Sequence, residues 1–304
     1  MKKIKTGKPY VIAGPCSAES EEQVLSIAHS LKETNVDVFR AGIWKPRTRP
    51  GNFEGIGEKG LSWLKRVKDE TGLETAVEVA NPKHVELALK NDVDVLWIGS
   101  RTTVSPFTVQ EIANACNGIE NRILIKNPIN PDLSLWMGAI ERFSGQNIKK
   151  LGAIHRGFSS YEKIKYRNAP IWEIPLGLRR EFPDLPIIFD PSHVAGDRNL
   201  VFDLSRTALS LNFDGLIIET HNNPDKAWSD AKQQVLPEVL LAMLDHLLYR
   251  EGELSLDPSI EKLLELDFRI DTLKDQLGDV FLKKRDLKEQ IGLIKEEQRI
   301  SSFV

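Results

Sequence analysis

The sequence is poor in cysteine: among 304 residues only Cys16 and Cys116 occur, too few for the disulfide framework of a small secreted domain. A reducing compartment is the expected setting. It also lacks a long apolar run. The most apolar stretch, 235–249, is broken by Pro237, Glu238, Asp245 and His246, whereas a spanning helix needs about 20 apolar residues. The opening MKKIKTGKPYVIAGPC reaches Gly14 and Pro15 after only a few apolar residues, short of a signal-peptide core. Basic excess is missing too: 41 Lys and Arg face 44 Asp and Glu, a formal charge of -3, which argues against a nucleic-acid binder. These gaps predict a cytoplasmic protein without membrane or nucleic-acid partners.

What the chain does contain is repetition. Eight short β-branched runs, at 10–13, 36–40, 74–79, 93–98, 122–126, 151–155, 186–190 and 215–219, are each followed by helical spacing. Most are continuously apolar, as parallel strands covered on both faces are. Eight strand-then-helix units within the first ~250 residues predict a (β/α)8 TIM barrel, class α/β. A doubly wound open sheet is the alternative, but no Gly-rich dinucleotide fingerprint follows a first strand.

Polar residues gather where such a barrel keeps its chemistry, at the C-terminal strand ends. Cys16, Arg40 and Lys45, Glu78, Arg101, Lys126, His155 and Arg156, Asp190 and His193, and Glu219 and His221 follow or end the eight strands in turn. Cys16, His193, Glu219 and Asp230 supply a thiol, an imidazole and two carboxylates, a mixed donor set suited to Mn²⁺, Fe²⁺ or Zn²⁺ more than to Mg²⁺ or Ca²⁺. Alone, a cysteine or aspartate is ordinarily a packing or surface residue; convergence on one mouth carries the reading. Arg40, Lys45, Arg47, Arg101, Lys126 and Arg156 crowd the same mouth and call for a highly anionic substrate, or two. His29, His84 and His246 lie in helical segments and read as surface or packing residues, as do Cys116, Trp44 and Trp97; His155 and His221 read as neighbours that orient site residues.

The motifs AGPCSAES, FRAGIWKPRT, IGSRTT, ILIKNP, HRG, FDPSH and IETHNNPDKAWSDAKQQ stand in an order that resembles the 3-deoxy-D-arabino-heptulosonate 7-phosphate (DAHP) synthases, in the subfamily with short KPRT and DPSH motifs, over residues 9–240. The resemblance implies a transferase, 3-deoxy-7-phosphoheptulonate synthase, joining phosphoenolpyruvate to erythrose 4-phosphate at the start of the shikimate pathway of aromatic amino-acid biosynthesis. It makes Cys16, His193, Glu219 and Asp230 ligands of a divalent metal, Mn²⁺ by first choice, with Fe²⁺, Zn²⁺ or Co²⁺ as alternatives. It assigns Arg40, Lys45, Arg101, Lys126 and Arg156 to phosphoenolpyruvate, Arg47, Thr48 and Asp190 to erythrose 4-phosphate, and Lys45, Cys16 and His193 to catalysis. The related 3-deoxy-octulosonate 8-phosphate synthase, and a catalytically silent barrel that senses metabolites, are the rival expectations.

After the barrel, expected over 1–250, the composition shifts. Residues 251–304 carry 9 Lys and Arg against 13 Asp and Glu. A linker is expected at 251–258 and a helix over 259–304, with a heptad seam of Leu263, Ile270, Leu277 and Ile291 beside Leu266, Leu273, Val280, Leu287 and Ile294. This segment resembles the first long helix of a chorismate mutase domain, with Lys295 on the family's catalytic lysine but Lys284 and Asp267 where arginines belong. The expectation is an incomplete mutase-like segment whose departures at Lys284 and Asp267 count against mutase activity, with three readings open: the stub of a truncated fusion, a degenerate domain kept for homo-oligomerisation, or a regulatory sensor of a chorismate or prephenate effector or a mutase partner.

Overall fold

The computed structural model describes residues 8–45, 51–161 and 164–247. Arg47, Thr48 and every expectation placed on 251–304 therefore lie outside the described residues. Eight parallel strands close into a barrel in sequence order: β1 (Tyr10–Gly14), β2 (Val38–Arg40), β3 (Glu74–Val79), β4 (Val95–Ile98), β5 (Arg122–Lys126), β6 (Leu151–His155), β7 (Ile187–Phe189) and β8 (Gly215–Glu219). Closure excludes the open doubly wound sheet. The seam pairs β1 with β8 over five positions, from Tyr10 opposite Gly215 to Gly14 opposite Glu219.

Between the strands run α1 (Glu21–Leu31), α2 (Lys59–Thr71), α3 (Pro82–Lys90), α4 (Ser100–Thr103), α5 (Pro106–Ala115), α6 (Leu133–Ser144), α7 (Glu173–Glu181), α8 (Pro191–Ala195) and α9 (Val201–Ser210); α10 (Pro237–His246) follows β8. Their starts follow local chemistry. Ser20, Asn81, Ser105, Asp132 and Asp190 each accept a backbone N–H of the first turn, and Pro82, Pro106, Pro191 and Pro237 occupy first-turn positions whose N–H needs no partner.

Three strands are shorter than their apolar runs suggest, because a carboxylate takes over at the end. Asp37 accepts Val11 N–H at 2.7 Å and Asp94 accepts Thr75 N–H at 2.9 Å, so β2 and β4 begin after them. Asp190 is not the end of β7 but the cap of α8, accepting His193 N–H at 3.0 Å.

Alternation sorts every strand into two cores. Ile12, Val38, Ala76, Val95, Trp97, Leu124, Ile154, Ile188 and Ile217 fill the barrel interior. Their neighbours, among them Val11, Phe39, Val77, Leu96, Ile125, Ala153, Phe189 and Leu216, pack outward against the helices. Because the side-chain period is two, the interior parity continued toward the C-terminal ends selects Gly14, Arg40, Glu78, Gly99, Lys126, Arg156, Asp190 and Glu219.

Candidate active site

That inward set forms the mouth. Trp97, 2% exposed, is its floor: the Arg40 guanidinium lies 5.1 Å and the Lys126 ammonium 5.9 Å from the ring centroid, and Trp97 Nε1 donates to Glu78 Oε2 at 3.1 Å. The Glu78 carboxylate packs directly over Gly99, where a Cβ would fall 2.1 Å from Oε1, so a side chain there would have to displace that carboxylate. Gly14 (φ 149) likewise lets β1 approach β2, where a Cβ would meet Arg40 O at 2.0 Å. A cavity opens above, lined by Lys45, Glu78, Ser100, Arg101, Lys126, Arg156, Arg167, His193 and Asp230.

The seam brings a soft and a hard donor together. Glu219 closes β8 opposite Gly14, so Cys16, two residues beyond, stands over it. Ligand atoms of Cys16, Glu219 and Asp230 all lie within 4.8 Å of one another. Cys16 Sγ is 3.4 Å from Asp230 Oδ2, and Lys45 Nζ donates to Cys16 Sγ at 3.0 Å and to Cys16 O at 2.8 Å. His193 stands at the edge of this group, with Nε2 3.8 Å from Glu219 Oε1 and Nδ1 2.9 Å from Asp190 Oδ2. One ring nitrogen is thus anchored while the other faces the group, the usual orientation of a ligating imidazole.

Charges here are buried and matched. Arg40 Nη1 meets Glu219 Oε1 at 3.1 Å, and Lys126 Nζ meets Asp190 Oδ2 at 2.8 Å. Burial alone would raise the Glu219 carboxyl, but His193 and Arg40 outweigh it and hold it below the ordinary range. Asp190, opposed by burial in the same way, is held well down by His193 and Lys126. Burial pushes the Cys16 thiol up to about 12; Glu219 adds to the rise and Lys45 opposes it. The thiol is therefore protonated at neutral pH unless a cation displaces the proton.

Asp230 is presented by the loop after β8, in a left-handed conformation (φ 48). That loop is latched to the one carrying Cys16. Ser17 and Ser229 hydroxyls are 2.6 Å apart, Cys16 N–H donates to Gln234 Oε1 at 2.9 Å, and Trp228 N–H donates to Glu19 Oε1 at 2.7 Å. His221 lies beside this latch, its Nε2 3.5 Å from Glu19 Oε2, and its Nδ1 accepts Asn223 N–H at 2.9 Å.

Of the remaining expected residues, Arg101 lines the cavity from an exposed position. Arg156 is 8% exposed and donates to Asn168 Oδ1 at 2.7 Å; burial lowers it to about 10. The Asp190 oxygens face Lys126 and His193, the carboxylate being fully buried. His155 requires a correction: although it ends β6, its parity is outward, and it packs among Trp136, Phe158, Trp172, Phe189 and Phe213 rather than at the mouth. His84 stacks on Trp44 with centroids 3.9 Å apart, steadying the chain just before Lys45. Cys116 is a buried helix-end thiol.

Two residues at the site escaped the sequence reading. Arg167 Nη1 donates to Gln233 Oε1 at 2.7 Å and pairs with Asp230 Oδ1 at 3.0 Å, and Gln233 Nε2 donates to Glu219 Oε2 at 2.6 Å. Gln233 lies within the quoted IETHNNPDKAWSDAKQQ motif, but no pattern marks Arg167.

Such a fold and mouth define a (β/α)8 barrel enzyme with a mixed sulfur, nitrogen and oxygen donor group under a cationic rim. Residues 2–249 match the DAHP synthetase I family, and the chain belongs to it. A Thermotoga maritima protein, phospho-2-dehydro-3-deoxyheptonate aldolase, is 35% identical over 238 residues, covering 76% of this chain and 67% of that protein. A Wolinella succinogenes 2-dehydro-3-deoxyphosphooctonate aldolase is 31% identical over 269 residues, covering 78% of this chain and 97% of its own length. The crystal structure of the Thermotoga maritima DAHP synthase superposes with a TM-score of 0.70 at 30% identity, covering 81% of this chain and 70% of that one. A truncated form of the Thermotoga maritima 3-deoxy-D-arabino-heptulosonate 7-phosphate synthase gives 0.68 at 29% identity, covering 80% and 87%. No helix among the described residues is long and apolar enough to cross a membrane.

Proposed function

We propose that this chain condenses phosphoenolpyruvate with erythrose 4-phosphate and water, giving 3-deoxy-D-arabino-heptulosonate 7-phosphate and phosphate. The observation that carries this reading is the donor group of Cys16, Glu219 and Asp230, with His193 at its edge, joined through Asp230 and His193 to the cavity that Lys45, Arg101, Lys126 and Arg156 line. The residues suit a divalent ion: a thiol, two carboxylates held ionised, and an imidazole whose second nitrogen is anchored. When bound by these side chains, such an ion, Mn²⁺ by first choice, acts as a Lewis acid toward the aldehyde of the aldose.

The protein's own groups supply the rest. Lys45, Arg101, Lys126 and Arg156, which line the cavity, hold the carboxylate and phosphate of phosphoenolpyruvate, and Arg40, buried beside Glu219, adds its charge from behind; together they offset the repulsion between two polyanions, so their contribution is positioning and preorganised charge. C3 of the enol phosphate forms the new bond to the aldehyde carbon, Lys45 gives a proton to the former aldehyde oxygen, water adds at C2 and returns one proton to Lys45, and phosphate leaves with cleavage of its C–O bond, taking the remaining proton as C2 becomes the carbonyl. Lys45 suits its part because its ammonium already lies 3.0 Å from Cys16 Sγ. Arg47 and Thr48 of the KPRT motif are assigned to the aldose phosphate.

The relative named for octulosonate synthesis, matched over nearly its whole length, supports a second reading in which the aldose is a pentose phosphate. The KPRT motif and the higher identity to the heptonate enzyme favour the four-carbon aldose. The test is phosphoenolpyruvate loss with erythrose 4-phosphate and with arabinose 5-phosphate, before and after chelation. Expected is consumption with erythrose 4-phosphate alone, abolished by chelation and restored by Mn²⁺; full turnover by chelated enzyme, or turnover only with the pentose, would overturn the reading.

A further inference from the structure

Both carboxylates of the donor group have an oxygen held from outside: Asp230 turns Oδ2 to the group and Oδ1 outward, and Glu219 has Oε2 held by an amide while Oε1 is shared between Arg40 at 3.1 Å and the group. Asp230 Oδ2 faces Cys16 Sγ at 3.4 Å, while Oδ1 is taken by Arg167 at 3.0 Å. Glu219 Oε1 faces His193 Nε2 at 3.8 Å, while Oε2 accepts from Gln233 Nε2 at 2.6 Å. Gln233 in turn accepts from Arg167 at 2.7 Å, so one guanidinium reaches both carboxylates, one directly and one through an amide. An accepting Oε1 fixes which end of the amide is turned to Glu219.

We propose that Arg167 and Gln233 form a brace that sets the orientation of Asp230 and Glu219 and thereby the affinity of the site for a divalent cation. The inference rests on the metal reading above. Gln233 is 1% and Glu219 0% exposed, so this is no solvated surface pair of small consequence, although Arg167 itself is partly exposed. The arm that delivers Arg167 is fixed. Arg167 N–H donates to Ala195 O and Asn168 N–H to Val194 O, both at 3.2 Å, and Asn168 Nδ2 donates to His193 O at 2.6 Å. The stem of Arg167 crosses Gly196 (φ 69), where a Cβ would fall 2.5 Å from Arg167 Cβ. The same loop therefore holds the backbone of His193 and the outer oxygens of both carboxylates.

A positive charge near a cation site repels the ion, so removing Arg167 outright would mix lost repulsion with lost orientation. Charge-conserving changes separate them. Gln233→Met keeps length and charge while deleting both hydrogen bonds, and Arg167→Lys keeps the charge while losing the planar fork. Mn²⁺ affinity of the chelated, full-length protein is measured by electron paramagnetic resonance of free Mn²⁺ and by calorimetry, alongside thermal unfolding in chelator. For Gln233→Met, affinity is expected to fall about tenfold, the lower end of what outer-sphere partners contribute, with Arg167→Lys between it and the parent. Should Gln233→Met not fold, Arg167→Lys carries the test. Affinities within twofold of the parent, with or without lowered unfolding temperatures, would overturn the brace while leaving the metal reading intact. A parent protein that binds no Mn²⁺ would overturn both.

Discussion

Arg40 Nη1 lies 3.1 Å from Glu219 Oε1, an ion pair between the ends of β2 and β8 in which neither side chain is more than 2% exposed. Removing one partner of such a pair leaves an uncompensated buried charge, so Arg40→Met is expected to lose about 3 kcal/mol of stability, and Arg40→Met with Glu219→Gln together to regain most of it. Urea unfolding in chelator measures both. Additive losses in the double variant would show that the pair is not a unit.

Cys16 is expected to bind a divalent ion only by giving up a proton that burial holds on it up to about 12. Mn²⁺ addition should therefore release protons into weak buffer, and affinity should rise with pH. Cys16→Ser should lower Mn²⁺ affinity and turnover together. An equal proton release from Cys16→Ser would remove the thiol from the ligand set.

Arg101 lines the same cavity as Lys126 and Arg156 from an exposed position, and the function proposed above gives it to phosphoenolpyruvate. A hydrogen bond to a charged group contributes about 1.5–3 kcal/mol, so Arg101→Met should lower kcat/KM for phosphoenolpyruvate roughly ten- to hundredfold with Mn²⁺ affinity unchanged. Steady-state kinetics with the aldose saturating decides it.

His155, although away from the mouth, gives the fold a pH dependence. Burial among aromatic rings lowers it from 6.5 to about 3, with the Pro170 carbonyl working in the opposite direction. Between those values the unfolded chain binds the proton and the folded one does not, so stability falls as pH drops, by up to about 1.4 kcal/mol per pH unit. Subtracting the pH profile of His155→Phe from that of the parent in chelator should isolate this slope; a flat difference between pH 6.5 and 4 would show that the ring takes up a proton in the folded state.

The barrel was legible because eight short β-branched runs, most of them continuously apolar, recur at strand length with helices between them, and the structure closes those eight runs in order. Several chemically suited residues were legible for the same reason: strand ends converge, and Arg40, Lys126 and Glu219 share the interior parity. A strand-end position alone does not put a side chain at the mouth: His155 ends β6, but its neighbour Ile154 faces the interior, so the ring points outward. Asp190 continues an apolar run, yet its carboxylate caps α8. Arg167 could not be read at all. It lies in an aperiodic loop, and only the docking of that loop against Val194, Ala195 and Gly196 aims it at Asp230.

The seam between β1 and β8 carries a consequence for biogenesis. Cys16 is made early, but the groups that enclose its sulfur, Glu219 and Asp230, lie more than two hundred residues downstream. During synthesis the thiol must stay solvent-accessible, and so open to oxidants, until the last strand docks on the first. A polypeptide halted before residue 219 therefore lacks both carboxylates that enclose this sulfur in the closed barrel.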